Sequence, residues 1–277
     1  KGDYLTDVLA EGTVKLIKEN GQKKPFFLYF PFYAVHTPLQ GKKEKIERYE
    51  QVPKDKRQGN PIYAAMVESV DDAVGKVMDA VRELGMEKDT LVLFTSDNGG
   101  FARATNHAPL RANKGSPYEG GIRVPLIISG AGVERKGKTC AVPATSSDLY
   151  PTILEMAGLS MRPHQHLDGR SLAGALKGKG ALEKKPIFWH YPHYNQHPQS
   201  APHSVIRSGS WKLMEFLESG RVELYDLSRD LGESRDLSKS ETAKTKQLLA
   251  RLHAWKKEVR AEPMLPNPLV EESKAKN

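Results

Sequence analysis

The sequence predicts an α/β fold in which a mostly parallel sheet is flanked by helices, followed by a small antiparallel sheet with one helix. Two observations predict the first part: continuous apolar runs typical of strands buried on both faces, and amphipathic stretches that alternate with them. A third predicts the second part, because short strands separated by turn residues follow from about residue 186. We therefore expect two regions, residues 1–185 and residues 186–277.

Three helices are predicted in the first region. The first covers about residues 6–20 and the last about residues 147–157. The middle helix covers residues 60–85, where Asn60 can cap the helix and Pro61 suits its first turn. Apolar residues at helical spacing define the faces that the first two helices bury, namely Leu5, Val8, Leu9, Gly12, Leu16 and Ile17 in the first and Ile62, Met66, Val70, Ala73, Val77, Val81 and Leu84 in the second.

Three apolar runs predict the strands of the first region. They cover residues 26–30, 91–94 and 124–128, and each lacks the alternation of a half-exposed strand. Pro125 cannot donate a ladder hydrogen bond, so it places the last run at a sheet edge or delays the start of its strand. Because helices alternate with these runs, the pattern favours parallel pairing.

The second region has a different pattern. Short strands are predicted at residues 204–207, 211–214 and 222–225, with turn residues between them. A final helix follows, and its apolar residues are Leu248, Leu252, Trp255 and Val259. This combination predicts the small antiparallel sheet with one helix.

Composition excludes several classes of protein. The 277 residues include 42 Lys and Arg against 34 Asp and Glu, a net charge of +8, with 38% hydrophobic residues, which is typical of a globular protein rather than a disordered or fibrous one. No apolar run approaches the ~20 residues that span a bilayer, and a single cysteine excludes an internal disulfide framework. Without a long apolar run, membrane insertion is not expected. No basic run is interleaved with aromatic residues, so nucleic acid binding is not expected either.

The longest predicted loop, residues 96–123, follows directly on a predicted strand, and ligand sites of parallel α/β sheets lie at such strand ends. Asp97 and Asn98 offer oxygen ligands for calcium or magnesium, although the same pair is common in turns. Arg111 and Lys114 could bind an oxyanion or could simply be solvated. Residues 101–145 contain seven basic and two acidic residues, which would attract an anionic substrate.

Histidines provide two further candidates. His36 follows the apolar run at residues 26–30 and could donate a proton or bind an anion, whereas the alternative is an exposed loop histidine. His193 belongs to a group of four histidines that lacks the short helical spacing of a zinc site. An exposed loop is the alternative for this group as well.

The order and spacing of these motifs resemble the sulfatase family. The matching segments are HTP at 36–38, YAAMVESVDDAVG at 63–75, SDNGG at 96–100, KGSPYEGGIRVP at 114–125 and SSDLYPTILEMAGL at 146–159. The resemblance covers nearly the whole chain, but only the C-terminal two-thirds of family members such as arylsulfatases and N-acetylgalactosamine-6-sulfatases. It implies an alkaline-phosphatase-like fold, with residues 1–185 as the C-terminal part of the catalytic domain and residues 186–277 as a small subdomain.

The resemblance also implies a function and roles for the candidates. The function is hydrolysis of sulfate esters on a small molecule or glycan, most simply a sulfated carbohydrate. Asp97 and Asn98 match the pair that binds one calcium ion, in preference to magnesium, and Lys114 matches a lysine that contacts the sulfate group. His36 matches a histidine that binds sulfate and protonates the leaving alcohol. Arg111 shapes the loop or contacts substrate, and His193 is a further substrate contact.

The chain departs from the family in one respect. The C/S-x-P-x-R motif, whose first residue becomes the formylglycine nucleophile, is absent, because Cys140 stands in TCAVP. An earlier Asp pair of the metal site is absent too, so both would lie outside this chain, and the chain alone is predicted to be inactive. Two alternatives stay open: a non-catalytic anion-binding fragment or degenerate relative, and a phosphomonoester or phosphonate hydrolase of the same superfamily. Asn98 argues against the latter, since those relatives have histidine there. By resemblance, the location is exported or lysosomal.

Overall fold

The computed structural model describes residues 2–179 and 185–265. These residues form two compact units. The first comprises Lys1–Asp97, Arg103–Asn106 and Pro125–Leu182, and the second comprises Asn98–Ala102, His107–Val124 and Glu183–Asn277, as far as these ranges are described. The second unit therefore combines most of the predicted long loop with the C-terminal sheet.

Within the described residues the α-helices are α1 (Leu5–Asn20), α2 (Lys43–Glu50), α3 (Pro61–Glu83), α4 (Glu119–Ile122), α5 (Leu149–Met156), α6 (Ala173–Leu176) and α7 (Thr242–Glu258). The strands are β1 (Leu91–Thr95), β2 (Leu126–Gly130), β3 (Ile187–Tyr191), β4 (His203–Ser208), β5 (Trp211–Phe216) and β6 (Val222–Asp226). No helix among the described residues is both long and apolar enough to span a bilayer.

Helix α3 begins as the sequence predicts. The Asn60 side-chain oxygen accepts a hydrogen bond from the Ile62 amide at 2.8 Å, and Pro61 occupies the first turn. Every residue of its predicted apolar face is buried or half-buried. The predicted face of α3 is therefore confirmed.

The predicted face of α1 is wrong. Leu5 and Leu16 are each 53% exposed, although Ile17 is buried as expected. Helix α1 packs against α3, where Ile17 contacts Ala80 and Val81. Small side chains let two helices approach closely, so the buried face of α1 is built mainly from smaller residues than the sequence pattern indicates, and it comprises Thr6, Ala10, Thr13 and Ile17.

The described strands of the first unit do not form a parallel sheet. β1 and β2 pair antiparallel, with Leu91 opposite Gly130 and Thr95 opposite Leu126. β2 begins after Pro125, which confirms the delayed start, but its residues alternate in exposure and Ile127 is 59% exposed. Parallel pairing and burial on both faces are therefore wrong for this pair, because the long loop simply returns the chain alongside β1.

Residues 26–30 are not a strand, contrary to the prediction. Phe27 and Tyr29 are 73% and 77% exposed. A strand exists only where a neighbouring strand takes up its backbone hydrogen bonds, and none of the described strands pairs with this segment. Apolar composition alone therefore does not make these residues a strand.

The second unit contains the predicted antiparallel sheet, in the order β3-β4-β5-β6. Strand β3 is an addition to the three predicted strands. Along each strand, successive side chains point to opposite faces of the sheet, so they pack into two separate cores. One core contains Tyr118, Val205, Met214, Phe216, Tyr225 and Leu227, and the other contains Ile206, Leu213, Leu224 and the α7 residues Leu248 and Leu252.

Candidate active site

The loop after β1 is held against the short helix α4 by a close backbone contact. The Gly99 amide donates a hydrogen bond to the Gly121 carbonyl oxygen at 2.9 Å. A side chain at position 99 would overlap the carbonyl oxygen of Gly120. Only glycine permits this approach, which places the residues after Asn98 directly beside the turn that follows Lys114 in the sequence.

We expect Gly99→Ala to destabilise the protein by about 1–3 kcal/mol, because the added methyl group must displace backbone atoms. Urea unfolding measures the change. Gly12→Ala is the matched control, since Gly12 lies inside α1 and, apart from the neighbouring backbone of that helix, no atom lies within 4 Å of the added group. Alanine is favoured in a helix by about 0.5–1 kcal/mol, so this variant should be slightly more stable than the unmodified protein. Equal stability of the two variants would contradict the proposed contact.

Lys114 lies on the segment that faces this loop. Its backbone amide donates a hydrogen bond to the Gly100 carbonyl oxygen at 3.1 Å, and its side chain is half-buried. Gly115 follows with φ of +86°, a conformation that favours glycine. Within the second unit, Asn98 and Lys114 therefore lie on two segments joined by direct backbone hydrogen bonds.

Arg111 is bound by the C-terminal sheet. Its guanidinium lies 3.8 Å from the Tyr118 ring centre and donates hydrogen bonds to the Tyr225 hydroxyl at 3.0 Å and the Glu233 carbonyl oxygen at 2.8 Å. Burial raises the pKa of Tyr225 to about 12, although Arg111 opposes that shift. These contacts support a role for Arg111 in anchoring the loop, and the substrate contact stays a prediction.

A buried charge cluster holds α4 to the same sheet. The Lys212 ammonium group, which is fully buried, lies 3.0 Å from a Glu119 carboxylate oxygen and 2.8 Å from a Glu233 carboxylate oxygen. The other Glu233 oxygen accepts a hydrogen bond from the Glu119 amide at 2.6 Å. Burial alone would raise the pKa of Glu119, but Lys212, Arg207 and Arg123 together lower it. Glu119 is thus held as a carboxylate at the start of α4, near the C-terminal end of the loop.

His107 also joins the two loop segments, and the sequence does not single it out. Its Nε2 accepts a hydrogen bond from the Gly100 amide at 2.8 Å, and the Asn113 side-chain amide lies 2.9 Å from its Nδ1. Burial lowers the pKa of His107, which favours the neutral ring that such an acceptor requires. The only sequence signal for this contact is the position of His107 within the long loop.

His36 belongs to the first unit and is exposed. Its Nδ1 lies 2.9 Å from the Thr37 carbonyl oxygen, and the Tyr33 hydroxyl donates to the same oxygen at 2.9 Å. Because a carbonyl oxygen can only accept, Nδ1 carries a proton in this contact. Nε2 is therefore the ring nitrogen through which His36 could exchange a proton with a ligand.

Asp97 and Asn98 are the candidate metal ligands. Asp97 is exposed at the end of the first unit, and Asn98 is half-buried at the start of a segment of the second. Their donor chemistry fits a hard cation, since each side chain offers oxygen. Calcium takes about 6–8 oxygen ligands, so the pair would supply only part of its shell. Among the described residues no group of three or more His, Cys, Asp and Glu side chains could hold a metal.

The predicted substrate contact His193 is exposed, and its ring lies edge-on to Tyr191 with centroids 5.6 Å apart. The residues of this histidine-rich segment that contact the Lys114 loop are Asn195 and His197, which lie against Gly115. The sequence identifies the segment, and His197 as one of its four histidines, but not the contacts that Asn195 and His197 make. The role of His193 stays a prediction.

Two family models match the chain. One, described as Sulfatase, matches residues 1–159 and therefore includes His36, Asp97, Asn98 and Lys114. The other, described as N-sulphoglucosamine sulphohydrolase, C-terminal, matches residues 113–262. Together they cover nearly all of the described chain.

Similar proteins carry related names. A protein named Sulfatase from Formosa agariphila is 37% identical over 254 residues, which cover 84% of this chain and 46% of that protein. Arylsulfatase A from Homo sapiens is 30% identical over 256 residues, which cover 83% of this chain and 48% of that protein. The chain thus spans about half the length of these curated relatives.

Solved structures show the same fold. Ps i-CgsB, crystallised in complex with k-i-k-neocarrahexaose, matches with a TM-score of 0.79 at 32% identity, covering 92% of this chain and 55% of that one. BT4656, in complex with its substrate D-glucosamine-2-N,6-O-disulfate, matches in fold with a TM-score of 0.74 at 18% identity, covering 96% of this chain and 72% of that one.

Proposed function

The chain belongs to the sulfatase family, and from this premise we propose that it forms part of an enzyme that hydrolyses sulfate esters. The observation that carries the proposal is the arrangement of the Asn98 and Lys114 segments, joined by the Lys114–Gly100 and Gly99–Gly121 backbone hydrogen bonds. A cation ligand and a cationic side chain on adjoining segments suit a tetrahedral oxyanion. The family match supplies the kind of anion.

Four of the candidate residues have a chemical task in this proposal. The Lys114 ammonium group binds the sulfate oxygens and offsets the negative charge that develops on them. His36, with its Nδ1 proton bound to the Thr37 carbonyl, acts as the doubly protonated imidazolium and donates the Nε2 proton to the departing alcohol, which is otherwise a poor leaving group. Asp97 and Asn98 hold the calcium ion, which when bound adds positive charge at the sulfate. The nucleophile, a formylglycine, lies outside this chain.

We propose a sulfated carbohydrate as the substrate class. The support is the likeness to Ps i-CgsB at 32% identity, since that protein was crystallised with an oligosaccharide. A panel of sulfated oligosaccharides, with free sulfate measured by ion chromatography, identifies the sugar unit and the sulfated position.

Calcium removal tests the metal assignment. The protein in its full encoded length, matured by a formylglycine-generating enzyme, should release sulfate from 4-nitrophenyl sulfate. Treatment with EGTA should abolish that release, and added calcium should restore it better than added magnesium. Unchanged sulfate release after EGTA would contradict the roles of Asp97 and Asn98.

The isolated chain invites a second proposal, because its 277 residues contain no C/S-x-P-x-R motif. We propose that this polypeptide by itself binds sulfate without turning over a sulfate ester, since no covalent intermediate can form without the nucleophile. Calorimetry with inorganic sulfate and an ester assay on the same sample test it. Turnover by the pure chain would contradict the proposal.

A further inference from the structure

The segment at residues 195–200 folds around one side chain. The Asn195 side-chain oxygen accepts a hydrogen bond from the His197 amide at 2.9 Å. The Ser200 hydroxyl oxygen accepts from the Asn195 amide at 3.1 Å and the hydroxyl donates to the Asn195 carbonyl oxygen at 3.2 Å. These bonds fix the orientation of Asn195 within the segment.

Asn195 directs its remaining polar group at the loop that carries Lys114. The Asn195 side-chain nitrogen donates a hydrogen bond to the Gly115 carbonyl oxygen at 3.0 Å. Its oxygen is occupied by the His197 amide, so the nitrogen is the part of the amide that reaches the loop. Asn195 and Gly115 are 80 residues apart in sequence, and both belong to the second unit.

The same segment also fixes Gly115 by shape. A side-chain carbon at position 115 would lie 2.6 Å from the His197 Cβ and 2.8 Å from the Asn195 side-chain oxygen. The His197 ring also meets the Phe101 ring edge-on, with centroids 6.2 Å apart. Gly115 therefore has little freedom to move toward the segment.

Lys114 is consequently held on both sides. Its own amide is bound to the Gly100 carbonyl, and the carbonyl of the next residue, Gly115, is bound to Asn195. The two hydrogen bonds lie on either side of the Lys114 α-carbon, so they restrict the backbone from which its side chain projects. Catalysis by an ammonium group depends on such restriction, because a displacement of about 1 Å can cost about 100-fold in rate.

We propose that Asn195 is a positioning residue for Lys114, holding the Lys114 ammonium group where it binds the sulfate oxygens. This inference rests on the proposed sulfatase function. It assigns to the segment between β3 and β4 an indirect part in the active site, through one hydrogen bond from Asn195 to the Gly115 carbonyl. The competing explanation is that Asn195 only stabilises its own loop.

A double-mutant cycle separates the two explanations. Asn195→Asp keeps the oxygen that accepts from His197 and removes the donor to Gly115. In the matured full-length protein it should lower kcat/KM for 4-nitrophenyl sulfate by about 10-fold when Lys114 is present. In a Lys114→Ala background the same change should lower kcat/KM by less than about 2-fold, because the residue that Asn195 positions is gone.

Two further variants complete the experiment. Asn195→Ala removes the donor without adding a carboxylate and should show the same dependence on Lys114. Asn20→Asp is the matched control, because the Asn20 side chain also donates to a carbonyl oxygen, that of Leu16 at 3.0 Å in α1. That variant should leave kcat/KM unchanged.

The outcomes distinguish the positioning role of Asn195 from the proposed sulfatase function. If the unmodified protein releases sulfate but the Asn195 variants lose kcat/KM equally with Lys114 and with Lys114→Ala, the positioning role alone is overturned. Loss of the thermal unfolding transition in both Asn195 variants would overturn it too. Absence of sulfate release by the unmodified matured protein would overturn the proposed function and this inference with it. A loss confined to the Lys114 background would support the positioning role.

Discussion

Replacing Lys114 with alanine in the matured full-length protein is expected to lower kcat/KM for a sulfate ester by about 100- to 1,000-fold. The ammonium group offsets charge on the sulfate oxygens, and its effect is large because the side chain is half-buried, where water screens it less than at the surface. Steady-state kinetics with 4-nitrophenyl sulfate measure the change. Lys114→Arg should retain part of the activity, because it keeps the charge but alters the geometry.

Lys138→Ala is the matched control for the Lys114 variant. Lys138 belongs to the same basic stretch but is exposed, and it should change kcat/KM by less than about 2-fold. Equal losses in the two variants would mean that general attraction of the anion, not a specific contact, accounts for the effect. A wild-type rate in Lys114→Ala would remove Lys114 from the site.

Replacing Lys212 with methionine is expected to destabilise the second unit by about 3–5 kcal/mol. The ammonium group is fully buried between the Glu119 and Glu233 carboxylates, and its loss leaves both without their shared cation. Thermal and urea unfolding measure the change. Since Glu119 begins α4, the variant should also lose activity in the matured protein.

The origin of this loss can be tested within the cluster. Adding Glu233→Gln to Lys212→Met removes one buried negative charge and should recover part of the stability. Lys18→Met is a surface control, because Lys18 pairs with Glu83 at 2.7 Å with both side chains about half exposed. That variant should cost no more than about 1 kcal/mol. A loss of similar size in Lys18→Met and Lys212→Met would contradict the importance of burial.

Local chemistry accounts for the parts of the fold that the sequence predicts well. Asn60 and Pro61 identify the start of α3 because capping depends on neighbouring residues alone. The strands of the C-terminal sheet are predicted equally well, because turn residues separate them in the sequence. Pro125 likewise marks the start of β2.

Pairing and orientation depend on distant residues, and there the sequence misleads. The run at residues 26–30 has strand composition but no described partner strand, and β1 and β2 pair antiparallel where alternation with helices indicated parallel pairing. The face that α1 buries depends on the small side chains of α3 that pack against it. The spacing of apolar residues within α1 gives no information about those side chains.

The candidate site divides in the same way. The sequence predicts that the loop carrying Asn98 and Lys114 is functional, because a long polar loop after a strand is uncommon. It does not reveal the Lys212 cluster or the Asn195 contact, since Lys212 lies 93 residues from Glu119 and Asn195 lies 80 residues from Gly115. A buried lysine in a strand looks, in sequence, like an exposed one.

Sulfate and phosphate release from paired aryl esters tests the central claim most directly. The matured full-length protein, supplied with calcium, is incubated with 4-nitrophenyl sulfate and separately with 4-nitrophenyl phosphate, and the free anions are measured by ion chromatography. We predict release of sulfate at a rate that Lys114→Ala lowers by about 100-fold or more, with little release of phosphate. Release of phosphate without sulfate, or of neither anion, would contradict the assignment of this chain to a sulfate ester hydrolase.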